Sequence, residues 1–223
     1  MLKHIKFILQ HMAAAMTLAA AFVPLHLQGQ VMPPLPQPNT AAEYFKKAPA
    51  EAMALFDEST RLDMLDYFNS HMSTSSVNVL HGRSRIVVNA PQKLLIKVSK
   101  GSTIELDVIE HKKDSYIAVI ETVHVPMAES GIRFYRSDWS ELPTPPLPTY
   151  DDFIAKSNRK KTAKLEKPEM IFMAIEYDPE REAFRFKNTT AQYYTEYDTP
   201  EAVKLMLPEI YMKYDGKKFK AVK

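Results

Sequence analysis

Cysteine is absent from this 223-residue chain. That excludes disulfides, thiolate metal sites, cysteine nucleophiles and a lipid anchor on an N-terminal cysteine. Glycine is scarce, at 5 residues, too few for the glycine-rich loops that cradle nucleotide phosphates. No apolar run is long enough for a membrane span. Met12 to Val23 (MAAAMTLAAAFV) holds 12 residues, whereas a bilayer-spanning helix needs roughly 20. Excess charge is missing too. Two of the 29 basic residues, Lys3 and Lys6, lie in the first thirty positions, which hold no acid; the remaining 27 match the 27 acidic residues. A neutral body speaks against a dedicated nucleic-acid binder, which needs positive charge facing the phosphates.

The N-terminal pattern is informative. A basic start, a short apolar core and the small residues Ala19-Ala20-Ala21 or Gly29 together have the layout of a secretory signal over residues 1–30. An uncleaved anchor is the alternative. Export without disulfides is sustainable here, because about 190 residues bury enough apolar surface without covalent staples. Composition is otherwise that of a globular protein, with 45% hydrophobic and 25% charged residues.

Proline divides the rest. PPLP occurs at 33–36 and again at 145–148, each followed by a short aromatic segment, Ala41 to Phe45 and Tyr150 to Ile154. These prolines read as extended lead-in segments. Their recurrence suggests two related units, 31–142 and 143–223. The first unit begins helical: Ala50 to Phe56 is rich in Ala, Met and Leu, and a second helix starts at Ser59 or Thr60, with Leu62, Leu65 and Phe68 on its buried face. Asn69 to Asn78 (NSHMSTSSVN) is a polar loop. Strands follow over 85–90, 93–99, 103–110, 115–125 and 132–136. In 103–110 Ile104, Leu106 and Val108 alternate with Glu105, Asp107 and Ile109, the period of a half-buried strand. Consecutive strands on short turns imply an antiparallel meander. The second unit repeats the order on a smaller scale: strands over 169–177 and 183–188, a helix opened by Thr199-Pro200-Glu201, and a hairpin around Asp215-Gly216. The fold class is therefore α+β: N-terminal helices, an antiparallel meander, then a smaller α+β unit.

The stretch Thr122 to Leu142 (TVHVPMAESGIRFYRSDWSEL) resembles a recurring segment of exported Bacteroidales proteins known only as a domain of unknown function. Arg61 to Tyr67 and the proline-led start near Pro33 are similar to the same family, and the similarity spans most of 33–223. The resemblance implies export and a periplasmic or cell-surface setting. It brings no catalytic residues with it.

The chemistry-bearing residues do not assemble into a known motif. His71, His81, His111 and His124 lack the helical spacing of a zinc site, and no metal or cofactor is expected. Asp63 and Asp66 read as paired carboxylates or, more simply, as a charged helix start. Ser73, Ser75 and Ser76 lie near His71 and His81, without the GxSxG elbow of a serine hydrolase. Arg159, Lys160, Lys161 and Lys164 form a basic run that either docks an anionic partner or is a solvated face. Trp139, Tyr193, Tyr194 and Tyr197 are candidate ligand-binding aromatics, with core packing as the competing role. The leading expectation is an exported, non-catalytic protein of the cell envelope, with a peptide, glycan or lipid partner and no nucleic acid. A hydrolase assembled from distant Asp and His residues (Asp63, Asp66, His71, His81) and a structural envelope component are the alternatives.

Overall fold

Two antiparallel sheets and a few short helices make up the computed structural model, which describes residues 40–111, 114–195 and 197–222. The expected N-terminal signal and the first PPLP lie outside the described residues. The first helix, α1 (Ala41–Lys47), is capped by Thr40, whose side chain accepts the Glu43 amide. The sequence pattern marks this segment only as a short aromatic stretch and predicts the first helix at Ala50–Phe56. There the chain makes only single turns, with the Ala52 and Met53 amides both bonded to the Pro49 carbonyl. Ala52, Met53 and Phe56 are all buried, so tertiary packing overrides their helix propensity. Helix α2 (Glu58–Asn69) is capped by Asp57 rather than by Ser59 or Thr60. Its buried residues are Arg61, Met64 and Leu65, while Leu62 is 41% exposed. Arg61 takes the inward position because its Nη1 donates to the Phe56 carbonyl at 2.6 Å.

The expected meander is present. Strands β1 (Ser76–Val77), β2 (Arg83–Ala90), β3 (Lys93–Lys97), β4 (Ser102–His111), β5 (Asp114–Val123), β6 (Glu129–Arg136) and β7 (Glu141–Leu142) form a sheet in sequence order. A smaller sheet follows, made of β8 (Met173–Asp178), β9 (Ala183–Asn188), β10 (Glu209–Tyr214) and β11 (Phe219–Ala221), also in sequence order. Two short helices accompany it: α3 (Arg159–Thr162) lies between β7 and β8, and α4 (Glu201–Lys204) between β9 and β10. Strand β8 starts later than the expected 169, and α4 is a single turn.

The larger sheet is covered on both faces along its central strands. On one, Leu94, Ile96, Ile104, Leu106, Ile117 and Val119 pack against Phe45, Met53, Phe56 and Met64 of the helical layer. On the other, Ile109, Ala118, Ile120, Ile132 and Phe134 pack against Ile175, Phe184, Phe186 and Tyr214 of the smaller sheet. Strand β4 is thus not half-buried as its alternation suggests. Its polar face, Glu105 and Asp107, is as enclosed as its apolar one. Aromatic rings fill the space between the sheets: Phe134 stacks on Tyr214 at 4.1 Å and meets Phe184 edge-on at 5.7 Å.

Candidate functional site

The site begins where α2 ends. The His71 amide bonds to the Phe68 carbonyl at 3.1 Å and the Met72 amide to the Tyr67 carbonyl at 2.9 Å. This is a Schellman closure, in which the residue after the cap takes a left-handed conformation. That residue is His71, at φ 53°, where glycine carries no steric cost. From here Met72 to Ser75 leave the helix and turn into β1.

Strand β1 is only two residues long and pairs with β2 at Ser76↔Ser84 and Val77↔Arg83. Strand β2 runs on for six residues, Arg85 to Ala90, paired with β3 on one side only. Among the described residues no strand covers its other side, and no turn or loop backbone bonds to it there. The ladder shifts register between Ile86 and Val88, so Val87 forms a bulge, and both valines are exposed. Bulges limit indiscriminate edge pairing and re-aim the local chain.

A groove of about 410 Å³ opens at this edge. Met64, Tyr67, Phe68 and His71 of α2 line one wall, and Arg85, Ile86 and Val87 of β2 line the other. Thr74, Ser75, Ser76 and Ser84 supply hydroxyls. Ser84 is fully engaged, donating to the Val98 carbonyl at 3.0 Å and accepting from Asn78 at 2.9 Å. Ser76 is different: it is buried, yet its hydroxyl has no partner among the described residues. A buried unmatched hydroxyl costs free energy until something bonds to it. The groove therefore offers an open backbone edge, an unmatched hydroxyl and an apolar floor. Its lining holds no carboxylate.

The histidines, carboxylates and serines of the hydrolase expectation are only partly brought together. His71, Ser75 and Ser76 share the groove, but no hydrogen bond joins His71 to a serine there among the described residues. Asp63 and Asp66 are exposed and do not line the groove. His81 sits at φ 62° on the Asn78–Gly82 turn, which is held by the Asn78 side chain through the Leu80 and Gly82 amides. His124 bonds to Thr103 at 3.0 Å. No group of three or more His, Asp or Glu among the described residues is placed to hold a metal.

The four candidate aromatics fall in two places. Trp139, at φ 67°, packs against Tyr44 and Tyr135 beside the helical layer, and its indole N–H is buried without a partner among the described residues. Tyr193 and Tyr194 meet edge-on at 5.2 Å, with Phe172 against Tyr193. Tyr197 is 94% exposed. No ring contact joins Trp139 to Tyr193, Tyr194 or Tyr197 among the described residues. Arg159, Lys160, Lys161 and Lys164 are all exposed around α3 and make no ion pair among the described residues. Arg159 borders a separate cavity of about 550 Å³, with Tyr150 and Lys167.

Sequence reading missed the groove because no local pattern tells an edge strand with a short neighbour from a central one. One signal was available: no Asp or Glu occurs between Asp66 and Glu105, a stretch that contains Arg83 and Arg85.

Comparison with known proteins agrees on the fold. No curated protein matches the chain. A solved structure described as a domain of an uncharacterized protein from Porphyromonas gingivalis W83 is 17% identical, with a TM-score of 0.64. The match covers 81% of this chain and 96% of that one. At this identity the likeness is one of fold. A family model described as "Protein of unknown function (DUF3256)" matches residues 36–219, taking in both the Arg61–Tyr67 and Thr122–Leu142 segments. The chain belongs to that family.

Proposed function

We propose that this is an exported peptide-binding protein of the cell envelope, which takes an extended segment of a partner into the α2–β2 groove as an added strand. One observation carries the reading. The outer side of β2 from Arg85 onward lacks a strand partner among the described residues and opens into a helix-walled groove. Added strands gain affinity from main-chain hydrogen bonds, while side-chain pockets select the sequence. Six residues of β2 span roughly 20 Å, enough for a short peptide. The unmatched Ser76 hydroxyl supplies a further bond. Export is supported by the leader over residues 1–30.

The test is site-specific crosslinking. A photoreactive phenylalanine is placed in turn at Val87, Trp139 and Tyr197 of the purified chain, which then meets a displayed library of random octapeptides. Capture at Val87 and not at the other two is the expected result. Capture confined to Trp139 or Tyr197 would move the site to the aromatics and defeat the groove reading.

A further inference from the structure

This inference rests on the groove reading and concerns what the groove selects. We infer that the bound segment is acidic, runs antiparallel to β2, and places a carboxylate within reach of Arg85 with an apolar residue next to it.

The direction follows from β1. Strand β1 pairs antiparallel with Arg83 and Ser84; that register extends to Ser75 opposite Arg85, with Arg83 donating to the Ser75 carbonyl at 3.3 Å, so an incoming strand takes over the line beyond Ser75, from Ile86 onward. Side chains directly opposite each other in an antiparallel pair lie on the same face of the sheet. Along β2, Ser84 and Ile86 are buried, while Arg83 and Arg85 are exposed. A residue opposite Val87, on the exposed face and diagonal to Arg85, therefore stands within reach of its guanidinium, on the solvent side. The neighbouring residue, opposite Ile86, faces the wall formed by Met64 and Phe68. Alternation of acidic and apolar residues satisfies both faces.

The charge of the surroundings points the same way. His71 and Arg85 are the titratable or charged groups of the lining apart from the phenol of Tyr67, and no carboxylate balances them there. Asp66 and Glu105 bound an acid-free stretch that contains the whole of β1, β2 and β3. A basic peptide would meet like charge at Arg83 and Arg85.

The experiment uses fluorescence anisotropy with three labelled decapeptide probes: alternating Glu and Val, alternating Thr and Val, and alternating Lys and Val. The protein is the purified chain with the photoreactive group at Val87. The acidic probe is expected to bind about 5-fold tighter than the neutral one for each arginine engaged, since an exposed ion pair contributes up to about 1 kcal/mol. Its advantage should shrink as salt rises. Arg85→Glu should shift the preference toward the lysine probe, with crosslinking at Val87 retained. Arg85→Gln should abolish the preference without reversing it. Because Arg85 is exposed, both variants should keep the wild-type melting temperature. Equal affinity for acidic and neutral probes, with Val87 still crosslinking, overturns the charge inference and leaves the groove reading intact. Failure of all three probes to crosslink at Val87 overturns both. Acidic binding that survives Arg85→Glu but is lost in Lys160→Glu/Lys161→Glu assigns it to the basic run and overturns the inference. A dimer formed through Val87 does the same in favour of a second copy.

Discussion

Lys93 is the residue on which the meeting of the two sheets turns. Its ammonium lies 2.8 Å from Glu105, donates to the Tyr177 carbonyl at 2.8 Å, and stands 3.8 Å from Asp107. Glu105 in turn accepts the Tyr177 amide at 3.0 Å. Asp107 is 0% exposed, and neither of its oxygens receives a hydrogen bond from the described residues. Burial pushes its carboxyl well above the ordinary 3.8; the Glu105 charge pushes further, and Lys93 pulls back. Burial, with the Asp107 charge, likewise holds the Tyr177 phenol at about 12. A carboxyl raised on folding takes stability away as pH climbs above its unfolded value, until the folded value is passed. Asp107→Asn should therefore melt higher than wild type near neutral pH, and the gap should narrow as pH falls toward 4; thermal melts across that range read it. Lys93→Met leaves two buried carboxyls without a counter-charge, and chemical denaturation should show a loss of about 3–5 kcal/mol. His71 belongs to the same scale. Its left-handed backbone is a local rule broken inside the candidate groove, where strain and function tend to coincide. His71→Gly should stabilise the chain by about 1 kcal/mol while weakening capture of the acidic probe.

Among elements, the final hairpin shows most clearly how a short motif becomes tertiary structure. Asp215 accepts the Lys217 and Lys218 amides and pairs with Lys220 at 2.7 Å. The Lys220 bond, then the Lys218 amide, holds its carboxyl far below the usual range. Gly216 sits at φ 89°, and a Cβ there would come within 2.5 Å of the Tyr116 hydroxyl on β5. Gly216→Ala should cost more than about 1 kcal/mol by denaturant unfolding, from backbone strain and collision together. This hairpin was legible because Asp-Gly carries its own turn chemistry. Strand β9 was legible because its bounds coincide with a change from Glu182 to an aromatic alternation. The helices were less so. Ala50–Phe56 has the composition of a helix, but its side chains are pulled inward one by one, and α1 hides behind only a Thr40 cap and two aromatics. Glu105 and Asp107 misled for a related reason. Alternation implies one wet face, and only the arrival of β8 makes that face dry. The groove depends on how short β1 is compared with β2, a difference that no residue within β2 records.

At the scale of the molecule, three layers account for the arrangement: helices, a seven-stranded sheet and a four-stranded sheet. Helices cover one face of the large sheet and the smaller sheet covers the central strands of the other, so unpaired backbone is left at its edges. At one end, β7 pairs with only Phe134 and Tyr135 of β6; at the other, β1 covers only Arg83 and Ser84 of β2. Of these, the β2 end has a helix beside it and a hydroxyl-lined groove between them. The described residues contain no helix long and apolar enough to cross a membrane. The proposed export leader over residues 1–30 leads to the expectation that cell fractionation places the chain outside the cytoplasm, with a product shortened by about thirty residues. Recovery of the full-length chain in the cytoplasm would contradict that assignment. The most direct test of the central claim is backbone amide hydrogen exchange with and without saturating acidic probe. The account predicts slowed exchange at backbone amides between Arg85 and Ala90 on peptide addition, with little change around Trp139, Tyr193 and α3. Unchanged exchange along β2, with protection appearing at any of those other places, would contradict it.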